Sequence, residues 1–346
     1  MKIVVIGGAG FIASHVVDHY VAEGHEVVVV DNLSTGKREN IHPDARFYEL
    51  DIAEQRDRLE EVLREEQPEV VNIHAAQKSV PKSVEDPLLD LKINVEGLIN
   101  VLEICKKVDV KKVIFASSGG ALAGETDQIP TPENLNPQLI SPYAINKLAC
   151  EKYLHYYAAI FGMKYTVLRY ANIFGPRQIP DGDCGVTPIF MNNVLADRPS
   201  VLFAYEDMPK GTTRDYLYVE DAARANVLAL TKGDDQVLNI GTGIETYTED
   251  LYHVILKVSG KDLPLVREKE RTGDVKRSAL DSTRAKEVLN WEPTLSLEEG
   301  IQKTYDYFLS IQQSKEKTPR LLGVENVDKP CESTLLIAGF LYIKGI

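Results

Sequence analysis

Residues 3–13 read Ile3-Val4-Val5-Ile6-Gly7-Gly8-Ala9-Gly10-Phe11-Ile12-Ala13. The apolar run at its start is too short for a signal peptide and predicts a first core strand. The glycines permit a tight turn that lets a bound phosphate approach the backbone. A helix predicted over residues 11–23 would direct its free N–H groups at that phosphate. The stretch therefore predicts a strand, turn and helix that bind the pyrophosphate of a dinucleotide.

Short β-branched runs alternate with helical patterns in the residues that follow. The predicted strands span residues 3–6, 26–30, 46–50, 70–73, 112–116 and 165–169. The predicted helices span residues 11–23, 54–66, 86–107 and 143–161. Continuous apolar strands separated by helices indicate a parallel sheet that is covered on both faces. The predicted fold class is α/β, with a doubly wound parallel (Rossmann) sheet.

The texture of the chain changes after Gly175-Pro176, where proline, glycine and aspartate cluster up to Pro188. We expect a dinucleotide-binding domain over residues 1–175 and a smaller α/β substrate domain over residues 176–313. A predicted helix at 215–230 and strand at 236–240 would rejoin the first domain, so that parts of 215–242 belong to it. Residues 314–346 are interpreted as a linker and a tail of unknown role.

Composition excludes several classes of partner. The chain has 39 basic and 52 acidic residues and a net charge of −13, which disfavours nucleic-acid binding. Its four cysteines form no CxxC pair, so no metal site is predicted and a reducing cytoplasmic compartment is favoured. The apolar stretch 334–343 is well short of the roughly 20 residues that cross a bilayer, so a soluble protein without membrane partners is expected.

Asp31 closes the second predicted strand, near the usual distance of about 20 residues from the glycine turn. A carboxylate there accepts hydrogen bonds from both ribose hydroxyls and repels a 2′-phosphate. The predicted cofactor is therefore NAD and not NADP.

Tyr143 and Lys147 stand four residues apart after Ser141-Pro142, which suits a helix start. This spacing places both side chains on one helical face, where the ammonium favours the phenolate and Tyr143 becomes a base. Ser118 lies at the end of the fifth predicted strand, at the edge of the sheet where ligands bind. Ser118, Tyr143 and Lys147 are the predicted catalytic residues.

These features resemble the extended short-chain dehydrogenase/reductase family, and within it the UDP-glucose 4-epimerases, over residues 1 to about 313. The matching motifs are Gly-Gly-Ala-Gly-Phe-Ile at 7–12, Asp31-Asn32-Leu33-Ser34-Thr35-Gly36, Asp51-Ile52, Ala75-Ala76-Gln77, Asn94, Ser117-Ser118, Tyr143-x-x-x-Lys147, Leu168-Arg169-Tyr170-Ala171-Asn172, Arg214-Asp215-Tyr216 and Gly273-Asp274. The resemblance implies cofactor contacts by Gly7, Gly10, Phe11, Ile12, Asp31, Asn32, Ser34, Thr35, Gly36, Asp51, Ile52, Ala75, Ala76, Gln77, Lys78, Asn94, Tyr143, Lys147 and Tyr170. It implies substrate contacts by Lys78, Ser118, Tyr143, Asn172, Val186, Arg214, Arg271, Asp274 and Ser278.

The resemblance also implies an activity, namely NAD-dependent epimerisation at C4 of a UDP-hexose through a 4-keto sugar. Gly119 and Gly120 follow Ser118, where dehydratases and decarboxylases of the family carry an acidic residue. The alternatives are a 4-epimerase specific for UDP-glucuronate or for UDP-N-acetylhexosamine, and a non-catalytic nucleotide sensor with the same fold.

Two further expectations follow from the resemblance. The helices 94–107 and 143–161 would pair with their two-fold copies in a homodimer, through residues such as Leu98, Val101, Leu102, Leu148, Leu154 and Tyr157. Ser278 would border the sugar, where a small residue leaves room for an N-acetyl group. Two departures from the family pattern concern the active site: Ala123 replaces a tyrosine, and the stretch 203–211 is unusually long.

Overall fold

The computed structural model of the chain describes residues 1–135, 139–180, 185–270 and 275–317, and Met1–Leu309 form one compact unit. The strands are β1 (Lys2–Ile6), β2 (Glu26–Asp31), β3 (Arg46–Glu49), β4 (Val70–Ile73), β5 (Lys112–Ser118), β6 (Lys164–Tyr170), β7 (Asn172–Phe174), β8 (Ser200–Ala204), β9 (Thr213–Arg214), β10 (Tyr216–Tyr218), β11 (Gln236–Ile240), β12 (Thr246–Tyr247) and β13 (Leu265–Lys269). The α-helices are α1 (Phe11–Ala22), α2 (Arg56–Glu66), α3 (Val80–Glu85), α4 (Pro87–Leu91), α5 (Gly97–Lys107), α6 (Gly119–Ala123), α7 (Pro142–Phe161), α8 (Val186–Leu195), α9 (Val219–Ala229), α10 (Thr248–Ser259), α11 (Thr283–Leu289) and α12 (Leu297–Lys317).

Within the described ranges, the largest sheet has seven strands in the order β11-β6-β5-β4-β1-β2-β3, all parallel. Alternate residues of β1 enter two separate hydrophobic cores, with Ile3 and Val5 in one and Val4 and Ile6 in the other. Helices α1 and α9 cover the first face, and α2, α5 and α7 cover the second. A sheet buried on both faces explains the continuous apolar strands. The predicted doubly wound parallel fold is confirmed.

The structure corrects two predicted helices. Residues 86–107 form no single α-helix, because a π-helical turn at Lys92–Glu96 separates α4 from α5. Residues 215–230 do not begin as a helix, because Tyr216–Tyr218 pair with β7 as strand β10 before α9 starts at Val219. The π-helical turn contains Asn94, and strand β10 begins at Tyr216. Both residues belong to motifs on which the family resemblance rests.

Strand β11 begins more than sixty residues after the end of β6, the strand with which it pairs. In this pair Ile240 lies opposite Tyr170. Outside the main sheet the strands form smaller units, among which β8, before β11 in the chain, and β13, after it, form a parallel pair. Helices α8 and α10 pack together through the rings of Phe190 and Tyr252, whose centres are 5.0 Å apart. Among the described residues, every helix is too short or too polar to span a membrane.

Candidate active site

The turn between β1 and α1 brings two backbone segments into close contact. Gly7 has a φ of +82°, and a Cβ at this position would lie 2.5 Å from the backbone nitrogen of Ala75. Only glycine is compatible with both constraints. Gly10 is the N-cap residue of α1, so the first N–H groups of that helix are directed toward the turn. The turn can thus bind an anion through its backbone N–H groups, with no side chain in the way.

Asp31 ends β2 beside this turn. Its carboxylate accepts hydrogen bonds from the backbone nitrogens of Ala9, at 3.0 Å, and Leu33, at 2.8 Å. Burial raises the pKa of Asp31, and these two hydrogen bonds act in the opposite direction. A Cβ on Gly36 would come within 2.9 Å of the same carboxylate, so Gly36 keeps the approach to Asp31 open.

A cleft of about 350 Å³ runs along the carboxyl edge of the sheet from this turn. It is lined by nearly all the predicted cofactor residues, namely Gly7, Gly10, Phe11, Ile12, Asp31, Asn32, Ser34, Thr35, Asp51, Ile52, Ala75, Ala76, Gln77, Lys78, Tyr143, Lys147 and Tyr170. Gly36 and Asn94 are not among the lining residues; Gly36 lies against Asp31, and Asn94 donates to the carbonyl of Gln77 at 3.1 Å. A side-chain-free turn at one end and a buried carboxylate beside it fit a dinucleotide with a free ribose diol.

Tyr143 and Lys147 reach the other end of the cleft from the first turns of α7. Ser141 caps this helix by accepting from the backbone nitrogen of Ala144, and Pro142 occupies its first turn. Both side chains are buried. The Lys147 ammonium donates to the carbonyl of Ala116 at 3.0 Å and lies 5.9 Å from the centre of the Tyr143 ring. The predicted pairing on one helical face is therefore present.

Ser118 is the last residue of β5 and the N-cap of α6. Burial raises the pKa of Tyr143 to about 12, although its side-chain hydrogen bond with Ser118 acts in the opposite direction. Burial also lowers the pKa of Lys147, against the raising effects of Cys150, Asp90 and Glu151. In the protein alone the phenol is therefore protonated at neutral pH. A further positive charge in the cleft would favour the phenolate.

His74 is a cleft residue that the sequence analysis missed. Its Nε2 lies 3.0 Å from the Tyr170 hydroxyl, and the two rings stack with centres 5.9 Å apart. Asn226 donates to the same hydroxyl at 2.7 Å. Burial lowers the pKa of His74 to about 3, so the imidazole is neutral and shares a hydrogen bond with the Tyr170 hydroxyl. The signal was its position directly after β4, at the edge where strand ends face ligands.

A largely buried ion pair joins Arg169, next to the active-site residue Tyr170 in the chain, to Glu151 of α7. Arg169, which directly precedes Tyr170, donates to both carboxylate oxygens of Glu151 at 2.9 and 2.7 Å. Ser117, which directly precedes Ser118, donates to the same carboxylate at 2.7 Å. Glu151 thus joins α7 to the ends of β5 and β6.

The predicted substrate residues lie on several elements. Asn172 and Ser278 are neighbours, because a Cβ on Gly120 would lie 3.9 Å from the Asn172 Oδ1 and 3.4 Å from the Ser278 Oγ. Arg214 donates to the carbonyls of Thr213 and Val275, each at 2.7 Å.

Of the remaining predicted substrate residues, Val186 begins α8 and Lys78 is exposed at the cleft. Arg271 and Asp274 lie outside the described residues.

Comparison with known proteins supports this site. The chain is 46% identical to a UDP-glucose 4-epimerase of Thermotoga maritima solved with UDP-glucose, with a TM-score of 0.87 and coverage of 90% of this chain and 100% of the other. It is 41% identical to a UDP-glucose 4-epimerase of Thermus thermophilus solved with NAD, with a TM-score of 0.85 and coverage of 89% and 99%. It is 33% identical to a UDP-N-acetylglucosamine 4-epimerase of Methanobrevibacter ruminantium solved with UDP-N-acetylmuramic acid, with a TM-score of 0.83 and coverage of 90% and 98%.

The family match covers the glycine turn, the catalytic helix and the whole seven-stranded sheet except the first residue of β1. Residues 3–241 match the NAD dependent epimerase/dehydratase family, which confirms the prediction of NAD as cofactor. The chain belongs to the NAD dependent epimerase/dehydratase family.

Proposed function

We propose that this protein interconverts the two C4 epimers of a UDP-hexose. The observation that carries this proposal is the shared cleft, in which Tyr143 and Lys147 stand at one end and Asp31 and the glycine turn at the other. The predicted enzyme class is confirmed by the relatives, since 4-epimerases of UDP-sugars match about nine tenths of the chain.

In this mechanism Tyr143 removes the proton from the sugar O4 and later returns it. Ser118 hydrogen-bonds the same oxygen, and Lys147 favours the phenolate through its positive charge. NAD, when bound, adds a second positive charge and accepts and returns the hydride of C4. The 4-keto sugar turns over between the two half-reactions, so that the hydride returns to its opposite face and C4 is inverted. Tyr143 serves as the base at O4 in the first half-reaction and as the acid in the second.

Other residues of the cleft hold the two ligands. Asp31 accepts the ribose hydroxyls of the cofactor, and Gly7, Gly10, Phe11 and Ile12 present backbone to its pyrophosphate. On the substrate side, Asn172 and Arg214 hold the diphosphate, with Arg214 exchanging its present carbonyl acceptors for phosphate oxygens. Arg271 and Asp274 keep their predicted substrate roles. We assign the contacts of Arg214, Arg271 and Asp274 to a substrate-binding part over residues 176–313, whereas Asn172 precedes it.

The residues after Ser118 argue against dehydration or decarboxylation. A Cβ on Gly119 would lie 2.2 Å from the Cδ1 of Leu280, a side chain that is itself buried. An acidic residue at 119 would therefore displace the core. Because glycine and no acidic residue follows Ser118, epimerisation at C4 is the chemistry that we propose for the cleft. The intact Ser118, Tyr143 and Lys147 disfavour a non-catalytic sensor.

The function is tested by releasing the cofactor from purified protein for identification by mass spectrometry, and by assaying C4 inversion on a panel of UDP- and dTDP-sugars that includes UDP-glucuronate. We expect NAD and inversion of UDP-hexoses. Tightly bound NADP, or no inversion of any UDP-sugar, would contradict the proposal.

Ser278 determines how large a sugar the cleft accepts. Ser278 lies beside Gly120 and Asn172, and its small side chain is buried. We expect wild type to invert UDP-glucose and UDP-N-acetylglucosamine, and Ser278→Tyr to lower kcat/KM for the N-acetyl sugar by about 10–100-fold, since overpacking of this size costs about 1–3 kcal/mol. The measurement is kcat/KM for both substrate pairs.

Ser278→Ala is the matched control for this prediction, because it keeps the residue small and should retain both activities. Activity of Ser278→Tyr on plain hexoses reports that the variant is folded. If the tyrosine leaves N-acetyl activity unchanged, the long stretch 203–211 positions the sugar elsewhere and Ser278 is not the gate.

We further propose a homodimer. Of the residues named from the sequence, Leu98, Val101, Leu102, Leu154 and Tyr157 face the chain's own sheet, where they are buried in its core. A different apolar surface takes their place, and its exposed members on α4 and α7 are Leu88, Leu89, Leu91, Ile145, Tyr153, Tyr156, Ile160 and Phe161. An apolar surface of this extent is typical of an association site.

Light scattering at low micromolar concentration tests the dimer. We expect twice the chain mass of 38.6 kDa, and a shift toward monomer for Ile160→Arg, whose side chain is 62% exposed. Val266→Arg is the control, because it makes the same kind of change at an exposed apolar residue of β13, outside α4 and α7. A wild-type monomer would contradict the dimer. A cytoplasmic location stays a proposal, supported by the buried free thiols of Cys105 and Cys150.

A further inference from the structure

Asp90, in α4, is a buried acid that the mechanism above does not use. Its side chain is 0% exposed. Its Oδ1 accepts from the Gln77 Nε2 at 2.8 Å and from the Asn94 Nδ2 at 3.0 Å, and its Oδ2 accepts from the Asn146 Nδ2 at 2.7 Å. Three side-chain amides therefore converge on one carboxylate, and a buried carboxylate requires such donors.

The three amides belong to three different parts of the active site. Gln77 lies in the loop after β4 that lines the cofactor cleft. Asn94 lies in the π-helical turn and exchanges hydrogen bonds with the backbone of Gln77, at 3.0 and 3.1 Å. Asn146 directly precedes Lys147 in α7. Asp90 thus contacts both the cofactor loop and the catalytic helix.

The π-helical turn follows from this arrangement. Asn94 has to face Asp90 and Gln77 at once, and its carbonyl accepts from the Cys150 thiol of α7 at 3.3 Å. Single π-helical turns are costly and are retained mainly at functional sites. Another hydrogen bond joins α3 to α7: the Tyr143 backbone nitrogen donates to the Ser83 Oγ at 3.2 Å.

We propose that Asp90 is a positioning residue that holds the cofactor loop and the catalytic helix in one fixed arrangement, so that bound NAD and the Tyr143–Lys147 pair keep their mutual geometry. This inference rests on the NAD-binding part of the proposed function. Without the carboxylate, the loop and the helix separate more readily, and NAD leaves faster because its dissociation no longer requires that shared contact to break.

The experiment compares Asp90→Ala with a matched control, Asp221→Ala. Asp221 is 2% exposed and accepts from the backbone nitrogen and the Oγ1 of Thr294, at 3.0 and 2.7 Å. It also accepts from Arg224 at 2.8 Å. It is therefore as buried as Asp90 and at least as well bonded, but none of these partners lines the cleft or belongs to α7. The readouts are the dissociation rate of NAD from the purified holoenzyme on dilution, and hydrogen exchange of residues 75–79 and 142–147.

We expect Asp90→Ala to speed NAD release at least ~10-fold, since the loss of one hydrogen bond to a charged acceptor costs that much or more. Exchange should rise in both segments together. Asp221→Ala should destabilise the fold but change NAD release less than about twofold. Equal NAD release from the two variants, or exchange that rises near residue 90 alone, would overturn the proposal.

Asp90→Asn is the second variant, for use if Asp90→Ala fails to fold. It keeps one acceptor oxygen for three donors and should speed NAD release by about threefold. NAD release at the wild-type rate would count against the proposal.

Failure of this proposal can be told apart from failure of the proposed epimerase activity. A wild type that holds NAD but inverts no UDP-sugar would refute the epimerase activity and leave the role of Asp90 to these variants.

Discussion

Tyr143→Phe is expected to lower kcat for C4 inversion by about 10²–10⁴-fold, the usual contribution of a general base. The substitution removes only the hydroxyl to which we assign the O4 proton. The ring stays in its buried site beside Lys147, so the fold and the NAD content should be those of wild type. Initial rates of UDP-glucose and UDP-galactose interconversion measure the effect, and the NAD content of each preparation is determined in parallel.

The control for this prediction is Tyr153→Phe, which makes the same chemical change on the exposed side of the same helix. It should leave kcat unchanged. A Tyr143→Phe enzyme that keeps a tenth or more of the wild-type kcat would show that another group accepts the O4 proton.

Glu151→Ala is expected to lower the free energy of unfolding by about 3–5 kcal/mol, because the Arg169 guanidinium, whose side chain is only 14% exposed, loses its carboxylate partner. The Ser117 hydroxyl loses its acceptor in the same change. Urea unfolding of the wild type and the variant, followed by circular dichroism, measures the difference.

Glu61→Ala is the matched control for Glu151→Ala. Glu61 forms an ion pair with Arg58 at 2.7 Å, but both side chains are exposed, and such pairs contribute at most about 1 kcal/mol. A Glu151→Ala variant as stable as Glu61→Ala would mean that water reaches Arg169 and replaces the lost carboxylate.

The sequence predicted the parts of this site that depend on short-range spacing. The glycine turn needs only consecutive residues, and Tyr143 and Lys147 are brought together by one helical turn. Asp31 was found because a strand of fixed length ends there. In each case the residues lie in one helix, strand or turn. Their relative positions therefore follow from their spacing in the sequence.

Residues brought together by tertiary packing were missed or misjudged. His74 acts on Tyr170 across two strands that are far apart in the chain, and Asp90 joins three segments whose amides give no sequence signal. Leu98 and Tyr157 illustrate the opposite error. Their apolar character was correct for either a core or an interface, and only the packing of α5 and α7 on the sheet shows that they belong to the core.

The position of β11 affects how the protein reaches its folded state during synthesis. This strand pairs with β6 along its whole length, from Gln236 opposite Thr166 to Ile240 opposite Tyr170. A ribosome that has released only residues 1–175 has therefore exposed a nascent chain whose β6 has an open edge, and open edges pair readily with other chains. Contacts between residues so distant in the chain slow folding. Residues 236–240 must therefore emerge before the seven-stranded sheet can be completed and the edge of β6 covered.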